Sequence, residues 1–236
     1  MRHAISAIAL ASVLTSAAAA QSEELPTQFT RRSAFSVSLL GLAPSGEFAN
    51  NVQFAGGVAV AGIVKLGSRG IAAFNVELGL LFYGIERYRM PLGGGPLGLI
   101  GLDVQTTNNI LFGGIGLQLG YPGESIRPYG AASLGFSSFF TTSSVAGSSD
   151  IDSFANSTNY QDTGLAWNMG GGLYIPVSVR RKVVNLDLGV RWMDNGKRDY
   201  LRHDGITFHN NSVQLNPVRS EAKGLQVRLG VAFTYR

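Results

Sequence analysis

The sequence contains no cysteine among its 236 residues, and only 14 % of its residues are charged. The lack of cysteine excludes disulfide bonds, cysteine-ligated zinc and iron–sulfur clusters. Histidine is scarce as well, with three residues in the whole chain. The formal net charge of +4 comes from basic residues that do not cluster, so the sequence does not predict a nucleic-acid-binding protein.

Long apolar runs are also missing. Beyond residue 20 no eighteen consecutive residues are apolar, so membrane-spanning helices are not expected. The chain is nevertheless 45 % hydrophobic, which excludes a disordered protein. It also contains 31 glycines. One all-β barrel of about 200–250 residues fits this length and composition.

The first twenty residues have the pattern of a secretory signal peptide. A short basic start with Arg2 precedes an apolar run, and three alanines, Ala18 to Ala20, precede Gln21. Small residues at this place predict cleavage before Gln21, whereas the alternative is a buried N-terminal helix. We therefore expect a signal peptide at 1–20, a short N-terminal segment at 21–32 and a β-barrel at 33–236.

The rest of the chain alternates between apolar and small or polar residues, the period of two that is typical of β-strands. The last strand shows the pattern most clearly, with one apolar face: Leu225, Val227, Leu229, Val231, Phe233 and Tyr235. Eight such segments are predicted: 35–39, which is expected to be the shortest, then 55–66, 71–83, 109–121, 128–140, 163–175, 183–192 and 225–235. Most are long enough for a tilted strand to cross a bilayer, which needs about 9–11 residues.

The connections between these segments alternate in length. Short connections at 67–70, 121–127 and 176–182 separate long ones at 43–54, 88–102, 141–162 and 193–223. All long connections then lie at one end of the sheet. This arrangement indicates an all-β fold, an eight-stranded antiparallel up-and-down transmembrane β-barrel with short periplasmic turns and long extracellular loops.

Aromatic residues fall near the ends of the predicted strands, where a membrane barrel carries its two girdles. We expect one row near the extracellular end: Phe82, Tyr83, Phe112, Phe136, Phe139, Phe140, Trp167 and Trp192. We expect the other near the periplasmic end: Phe35, Phe74, Tyr121, Tyr129, Tyr174, Phe233 and Tyr235.

The last strand also resembles the C-terminal assembly signal of outer-membrane barrels. Arg228 supplies the polar residue, Gly230 follows two residues later, and Phe233 and Tyr235 supply the two spaced aromatics. One departure is Arg236, because the signal usually stops at the aromatic residue. An ordinary amphipathic strand is the alternative interpretation.

With the segments Pro128-Tyr129-Gly130 and 187–192, region 33–236 is similar to small eight-stranded barrels of the outer membrane protein A-like transmembrane and opacity-protein class. The resemblance implies a place in the bacterial outer membrane, and the even number of strands predicts that both termini lie in the periplasm. It also implies contact with outer-membrane lipids and recognition by the barrel assembly machinery. The basic residues of the longest connection, Lys197, Arg198, Arg202 and Arg219, suggest contact with lipopolysaccharide phosphates, and loops on a rigid scaffold suggest a surface ligand.

The predicted inner face consists mostly of glycine, alanine and serine. It also carries five charged residues: Lys65, Glu77, Asp187, Arg191 and Arg228. An eight-stranded barrel is just wide enough for side chains, and unpaired buried charges are costly. The five residues are therefore predicted to form an ion-pair cluster that closes the lumen. The alternative is a narrow gated channel in which the ion pairs rearrange.

Few residues in the sequence suggest catalysis or cofactor binding. His203 and His209 share the longest predicted loop with Ser212 and several acids, which could suggest a lipid A hydrolase or a metal site. However, the His209–Ser212 spacing differs from that of known lipid A deacylating barrels, and two histidines in a loop do not make a preformed metal site. The glycines at 93–95 lack the lysine of a phosphate loop.

We therefore expect a non-enzymatic protein without metal or cofactor. It would act in envelope integrity, lipopolysaccharide contact or surface adhesion through its loops. The second hypothesis is a narrow channel for ions or small solutes, and the third is a lipid A-modifying enzyme.

Overall fold

The computed structural model describes residues 33–67, 70–91, 101–121, 126–147, 153–178, 183–202, 205–209 and 212–235. The predicted signal peptide and N-terminal segment, residues 1–32, lie outside them. Among the described residues, no helix is long and apolar enough to cross a membrane. The strands are β1 (Ser33–Ser45), β2 (Ala55–Leu66), β3 (Ala72–Pro91), β4 (Gly101–Gly120), β5 (Arg127–Gly147), β6 (Ser153–Ser178), β7 (Val183–Tyr200), β8 (Ile206–His209), β9 (Ser212–Leu215) and β10 (Val218–Tyr235).

Eight of these strands close into a barrel, in the order β1-β10-β7-β6-β5-β4-β3-β2. Every neighbouring pair is antiparallel, and the seam pairs Ser33 of β1 with Tyr235 of β10. Strands β8 and β9 form a separate hairpin between β7 and β10. The predicted fold class, a closed eight-stranded antiparallel barrel, is confirmed.

The two ends of the barrel differ. One end, the termini end, carries Ser33, Tyr235 and the connections β2–β3, β4–β5 and β6–β7. The other, the loop end, carries the connections β1–β2, β3–β4, β5–β6 and β7–β10. The β1–β2 connection contains a short 3₁₀ helix, Gly46–Asn50, whose Phe48 is fully buried.

The strands continue further toward the loop end than the sequence predicted. Strand β6 has 26 residues, and the shortest barrel strand is β2 with 12, rather than the first strand. Much of the predicted connections at 88–102, 141–162 and 193–223 is therefore strand. Antiparallel ladders continue here through residues that are polar on both faces, where hydrophobic alternation gives no signal.

Alternation decides which side chains face the lumen. On β10, Leu225, Val227 and Leu229 are 43–51 % exposed on the outer wall, whereas Gln226 and Arg228 between them are at most 4 % exposed. The other strands repeat this pattern, so the outer wall is apolar. The lumen holds small and polar residues, with large apolar side chains toward the loop end.

The predicted aromatic rows are only partly outward. At the loop end Phe82, Phe136, Trp167 and Trp192 lie on the outer wall, and at the termini end Phe35, Phe74, Tyr121 and Phe233 do so. The others, except the half-buried Phe140 and the undescribed side chain of Tyr235, point into the lumen: Tyr83, Phe112, Phe139, Tyr129 and Tyr174. Their position along the strand was predicted correctly. They do not belong to an outward girdle, however, because each lies in phase with the inward residues of its own strand. Tyr83 continues the inward phase of Glu77 and Leu81. The bulge between Phe82 and Gly84 changes the phase only beyond it, where Ile85 is exposed and Glu86 is buried.

Candidate functional site: the lumen of the barrel

Four charged side chains meet in the middle of the lumen, and we call them the charge cluster: Glu77, Asp187, Arg191 and Arg228. Arg191 donates from Nη1 to Oε2 of Glu77 at 2.7 Å, and Arg228 donates from Nη2 to Oε1 of the same carboxylate. Asp187 lies nearby, with Oδ2 4.0 Å from Nη1 of Arg228. All four side chains are at most 4 % exposed.

Neutral residues hold the charge cluster in place. Tyr129 donates its hydroxyl hydrogen to Oδ1 of Asp187 at 2.6 Å, and Asn168 accepts a weak hydrogen bond from Arg191 at 3.5 Å. Gly172 leaves room for Tyr129, because a Cβ atom there would lie 2.6 Å from the tyrosine hydroxyl. The sequence did not single out Tyr129 or Asn168 for this role, although both lie on the predicted inner face.

Lys65, the fifth residue of the predicted ion-pair cluster, lies elsewhere. It is the last inward residue of β2, at the termini end, where it lines the mouth of the lumen with Gly70 and Ile71. The alternation predicted its face correctly. It could not give its height, because the register of β2 against β3 pairs Lys65 with Ala73, four residues before Glu77.

The loop end of the lumen is closed by rings, which we call the aromatic cap: Phe48, Tyr83, Phe139 and Tyr200. The ring centroid of Phe48 lies 5.3 Å from that of Tyr200 and 6.0 Å from that of Phe139, in edge-to-face geometry. Leu42, Leu81 and Ile110 are buried in the same apolar cluster. Two layers, one charged and one apolar, therefore fill the lumen.

A cavity of about 200 Å³ opens at the termini end, and we call it the vestibule. All eight barrel strands line it or border its mouth. Two cations, Arg127 and Lys65, lie on its wall, together with the stacked rings of Tyr129 and Tyr174. The charge cluster lies directly behind Tyr129.

The residues of the predicted assembly signal lie along β10. Gly230 faces the lumen, where a Cβ atom would lie 2.3 Å from the hydroxyl oxygen of Ser38. Phe233 is 36 % exposed on the outer wall, and Arg228 belongs to the charge cluster. Tyr235 pairs with Ser33, and its side chain lies outside the described residues.

Charged side chains beyond the outward tryptophans form ion pairs at the loop end. Lys223 contacts Glu221 at 2.8 Å and Asp194 at 3.6 Å, and Arg219 lies 3.7 Å from Asp199. The hydrogen bond from Lys223 lowers the pKa of Glu221 below its ordinary value. The Arg219–Asp199 and Lys223–Glu221 pairs are partly exposed to solvent, so each contributes little to stability.

The sequence did not predict a gap in the wall between β6 and β7. Their pairing stops at Trp167 opposite Asp194, although both strands continue. Arg198 crosses the gap and donates from Nη2 to the backbone oxygen of Leu165 at 2.6 Å. Asp162 accepts from the backbone nitrogen of Asp199 at 2.8 Å. Polar residues on both faces of this part of β7 give no sequence signal for such a contact.

The histidines that suggested a hydrolase or metal site contribute little to the described structure. His203 lies outside the described residues. The backbones of His209 and Ser212 pair at the end of the β8–β9 hairpin, but their side chains also lie outside the described residues. Across the residues that the structure describes, no three histidine, aspartate or glutamate side chains are grouped to hold a metal ion.

No protein-family model and no curated protein matches the chain. Among solved structures, it is similar to OprG of Pseudomonas aeruginosa, with 12 % identity, 87 % of this chain and 96 % of that chain covered, and a TM-score of 0.47. It is also similar to Ail of Yersinia pestis in complex with the heparin analogue sucrose octasulfate (10 % identity, 88 % and 100 % covered, TM-score 0.43). A third similar structure is Neisserial surface protein A (13 % identity, 85 % and 95 % covered, TM-score 0.38).

The fold of this chain follows from its own strand register and exposure. Eight antiparallel strands close into a barrel, the outer wall is apolar, and the lumen holds one charged and one apolar layer. The chain is a closed eight-stranded antiparallel β-barrel with an apolar outer wall.

Proposed function

We propose that this protein is a non-enzymatic, non-conducting β-barrel of the bacterial outer membrane. It would present its loop end to the outside and support envelope integrity through contact with lipopolysaccharide. The single observation that carries this proposal is an apolar outer wall around a lumen filled by two layers of side chains.

The dimensions of the wall support a membrane location. The apolar row from Leu225 to Phe233 on β10 rises by about 27 Å along the strand at about 3.4 Å per residue. A strand tilt of about 40° reduces this rise to about 21 Å along the barrel axis. The value is close to the apolar band of about 25 Å in outer-membrane barrels. An apolar surface of this extent is not expected on a protein surrounded by water.

The loop end offers contacts for phosphate groups. Trp167 and Trp192 end the apolar wall there, and Lys197, Arg202 and Arg219 are exposed above them. Aromatic rings settle at the membrane–water boundary, and arginine and lysine bind phosphate. With the termini end in the periplasm, these cations would lie at the height of the lipopolysaccharide headgroups.

Heat-modifiable migration of the membrane fraction on a denaturing gel tests the location. A folded barrel shifts on boiling, whereas a soluble periplasmic protein without a shift would contradict the proposal.

Purified barrel in planar bilayers tests closure, and we expect no reproducible unitary conductance steps. Unchanged lipid A masses in expressing cells are expected if the protein is not a lipid A-modifying enzyme.

The lipopolysaccharide contact needs its own measurement. We expect lipopolysaccharide vesicles to bind the barrel more tightly than vesicles of neutral phospholipid, with a difference that shrinks as salt is added. Replacing Lys197, Arg202 and Arg219 together by glutamine should abolish the difference. Equal binding to both vesicles would contradict this part of the proposal.

A narrow channel is the second candidate, because the vestibule opens the lumen from one end as far as Tyr129, which contacts the charge cluster. A channel would require both the charge cluster and the aromatic cap to rearrange. Conductance steps in the native protein would favour this candidate over the closed barrel.

A further inference from the structure

We propose that the vestibule is a binding site for a small organic anion with a flat apolar body. This inference does not depend on the surface role proposed above, because the site lies at the opposite end of the barrel. The ligand would bind there without passing through, since the charge cluster fills the lumen behind the site.

The charge of the vestibule selects an anion. Within the described part of the chain, its lining contains the cations Arg127 and Lys65 and no carboxylate. Strands β2 and β5 are separated by β3 and β4 in the barrel, so the two cations approach the cavity from different sides. Arg127 donates from Nη2 to the side-chain oxygen of Asn185 on β7, a contact that orients the guanidinium across the mouth.

The aromatic rings of the vestibule lining favour a ligand with a flat apolar group. Tyr129 and Tyr174 stack with ring centroids 4.6 Å apart and an interplanar angle of 25°. The Tyr129 hydroxyl donates to Asp187, and the Tyr174 hydroxyl donates to Gln118 at 3.4 Å. Because both hydroxyls already have partners, the rings contribute mainly apolar surface to the cavity. A flat apolar group would pack well against such rings.

The volume limits the size of the ligand. Pockets for drug-sized molecules usually enclose about 300–1,000 Å³, and the vestibule holds less. Ile63, Ala73 and Ala232 add apolar contacts around the cavity. A single ring with one carboxylate therefore matches the site in charge, surface and volume.

Three probes applied to the native barrel in detergent micelles or nanodiscs test the proposal. Benzoate carries both the ring and the charge, benzamide has the ring without the charge, and acetate has the charge without the ring. We expect benzoate to bind at about millimolar concentration, which is ordinary for a fragment, and the other two at least about tenfold more weakly. Chemical-shift changes of the vestibule residues would report binding. Failure of benzoate to bind, or equal binding of benzamide, would overturn the proposal.

Substitutions in the vestibule test whether benzoate binds there. Arg127→Gln and Lys65→Gln should each weaken benzoate binding by about tenfold, because each removes a charged contact. Lys223→Gln, on the outer wall at the loop end, is the matched control and should leave benzoate binding unchanged. Benzoate binding that survives both vestibule substitutions would overturn the proposed site. Should a variant fail to fold, the comparison of benzoate with benzamide on the native barrel still decides.

Discussion

Arg191 and Glu77, 114 residues apart in the chain, meet in the centre of the lumen, where Nη1 of the arginine lies 2.7 Å from Oε2 of the glutamate. The second oxygen of the same carboxylate accepts from Arg228. One buried acid thus contacts two cations, and Asp187 supplies the second negative charge that balances them. Removal of this acid would leave two arginines close together at low dielectric.

We expect Glu77→Gln to lower the free energy of unfolding by about 3–5 kcal/mol, because a buried pair that loses one partner leaves an uncompensated charge. Urea-induced unfolding in lipid vesicles measures this change. The control is Glu221→Gln, which removes an exposed ion pair with Lys223 and should have little effect. Equal effects of the two substitutions would contradict a structural role for the charge cluster.

The aromatic cap predicts a second difference in stability. Phe48→Ala removes a fully buried ring and should destabilise the barrel by about 3–5 kcal/mol. Phe54→Ala, in the same connection but with 61 % of the residue exposed, should cost much less. Thermal unfolding followed by circular dichroism would compare the two variants. A similar loss in both would show that Phe48 does not support the cap.

Arg198, which links β7 to β6, is expected to stabilise the barrel wall locally. Arg198→Ala removes the hydrogen bond to Leu165, so amide hydrogen exchange in residues 160–166 should accelerate by about tenfold or more. Arg219→Ala removes an arginine whose side chain is 73 % exposed, and it should leave exchange in this segment unchanged. Unaltered exchange in Arg198→Ala would mean that the hydrogen bond between Asp199 and Asp162 is sufficient to hold β6 and β7 together here.

The C-terminal strand predicts an effect on assembly. Phe233→Ala should reduce insertion into the outer membrane if this residue belongs to the assembly signal, as the resemblance of β10 implies. Phe74→Ala is a matched control, since Phe74 lies on the outer wall at the same end with 37 % exposure against 36 % for Phe233. The heat-shifted band in membrane fractions measures insertion. Equal losses would indicate a general requirement for interfacial aromatics instead.

The predicted signal peptide gives a prediction at the N-terminus. N-terminal sequencing of the protein purified from membranes should begin at or within about two residues of Gln21, as the rule of small residues before the cleavage site requires. Detection of Met1 in the mature protein would contradict cleavage.

Hydrophobic alternation predicted the fold and the inner face because a two-residue period, once one face is apolar, leaves a strand only one stable orientation. Glu77, Asp187, Arg191 and Arg228 were therefore placed in the lumen from the sequence. Their pairing was also predicted, from the cost of an unpaired buried charge, and Glu77 indeed contacts both arginines. The height of each residue, however, depends on the register between strands, which the sequence pattern does not give. For this reason Lys65 was grouped with them, although it lies near Ala73 in the vestibule.

The contacts that close the loop end were not predicted, for a different reason. Phe48 is in a connection without periodic pattern, and it enters the lumen through a 3₁₀ helix whose position depends on the rings around it. Tyr83 has the inward phase that the alternation predicts, but its ring contacts with Phe48, Phe139 and Tyr200 depend on how the strands and the 3₁₀ helix pack together. Arg198 is one of several polar residues in a strand segment without an apolar face. Each contact is set by tertiary packing rather than by local pattern.

The seam between β1 and β10 has a consequence for how the barrel forms. It joins residues that are almost the whole chain apart, from Ser33 opposite Tyr235 to Ser45 opposite Lys223. Pairings at such separation form slowly, because ordering the intervening chain costs entropy before the new contacts compensate for it. Until β10 arrives, β1 keeps one edge unpaired, and an unpaired edge is a template for aggregation. The chain therefore has to be kept from premature pairing from the time it is synthesised until its last strand can close the ring.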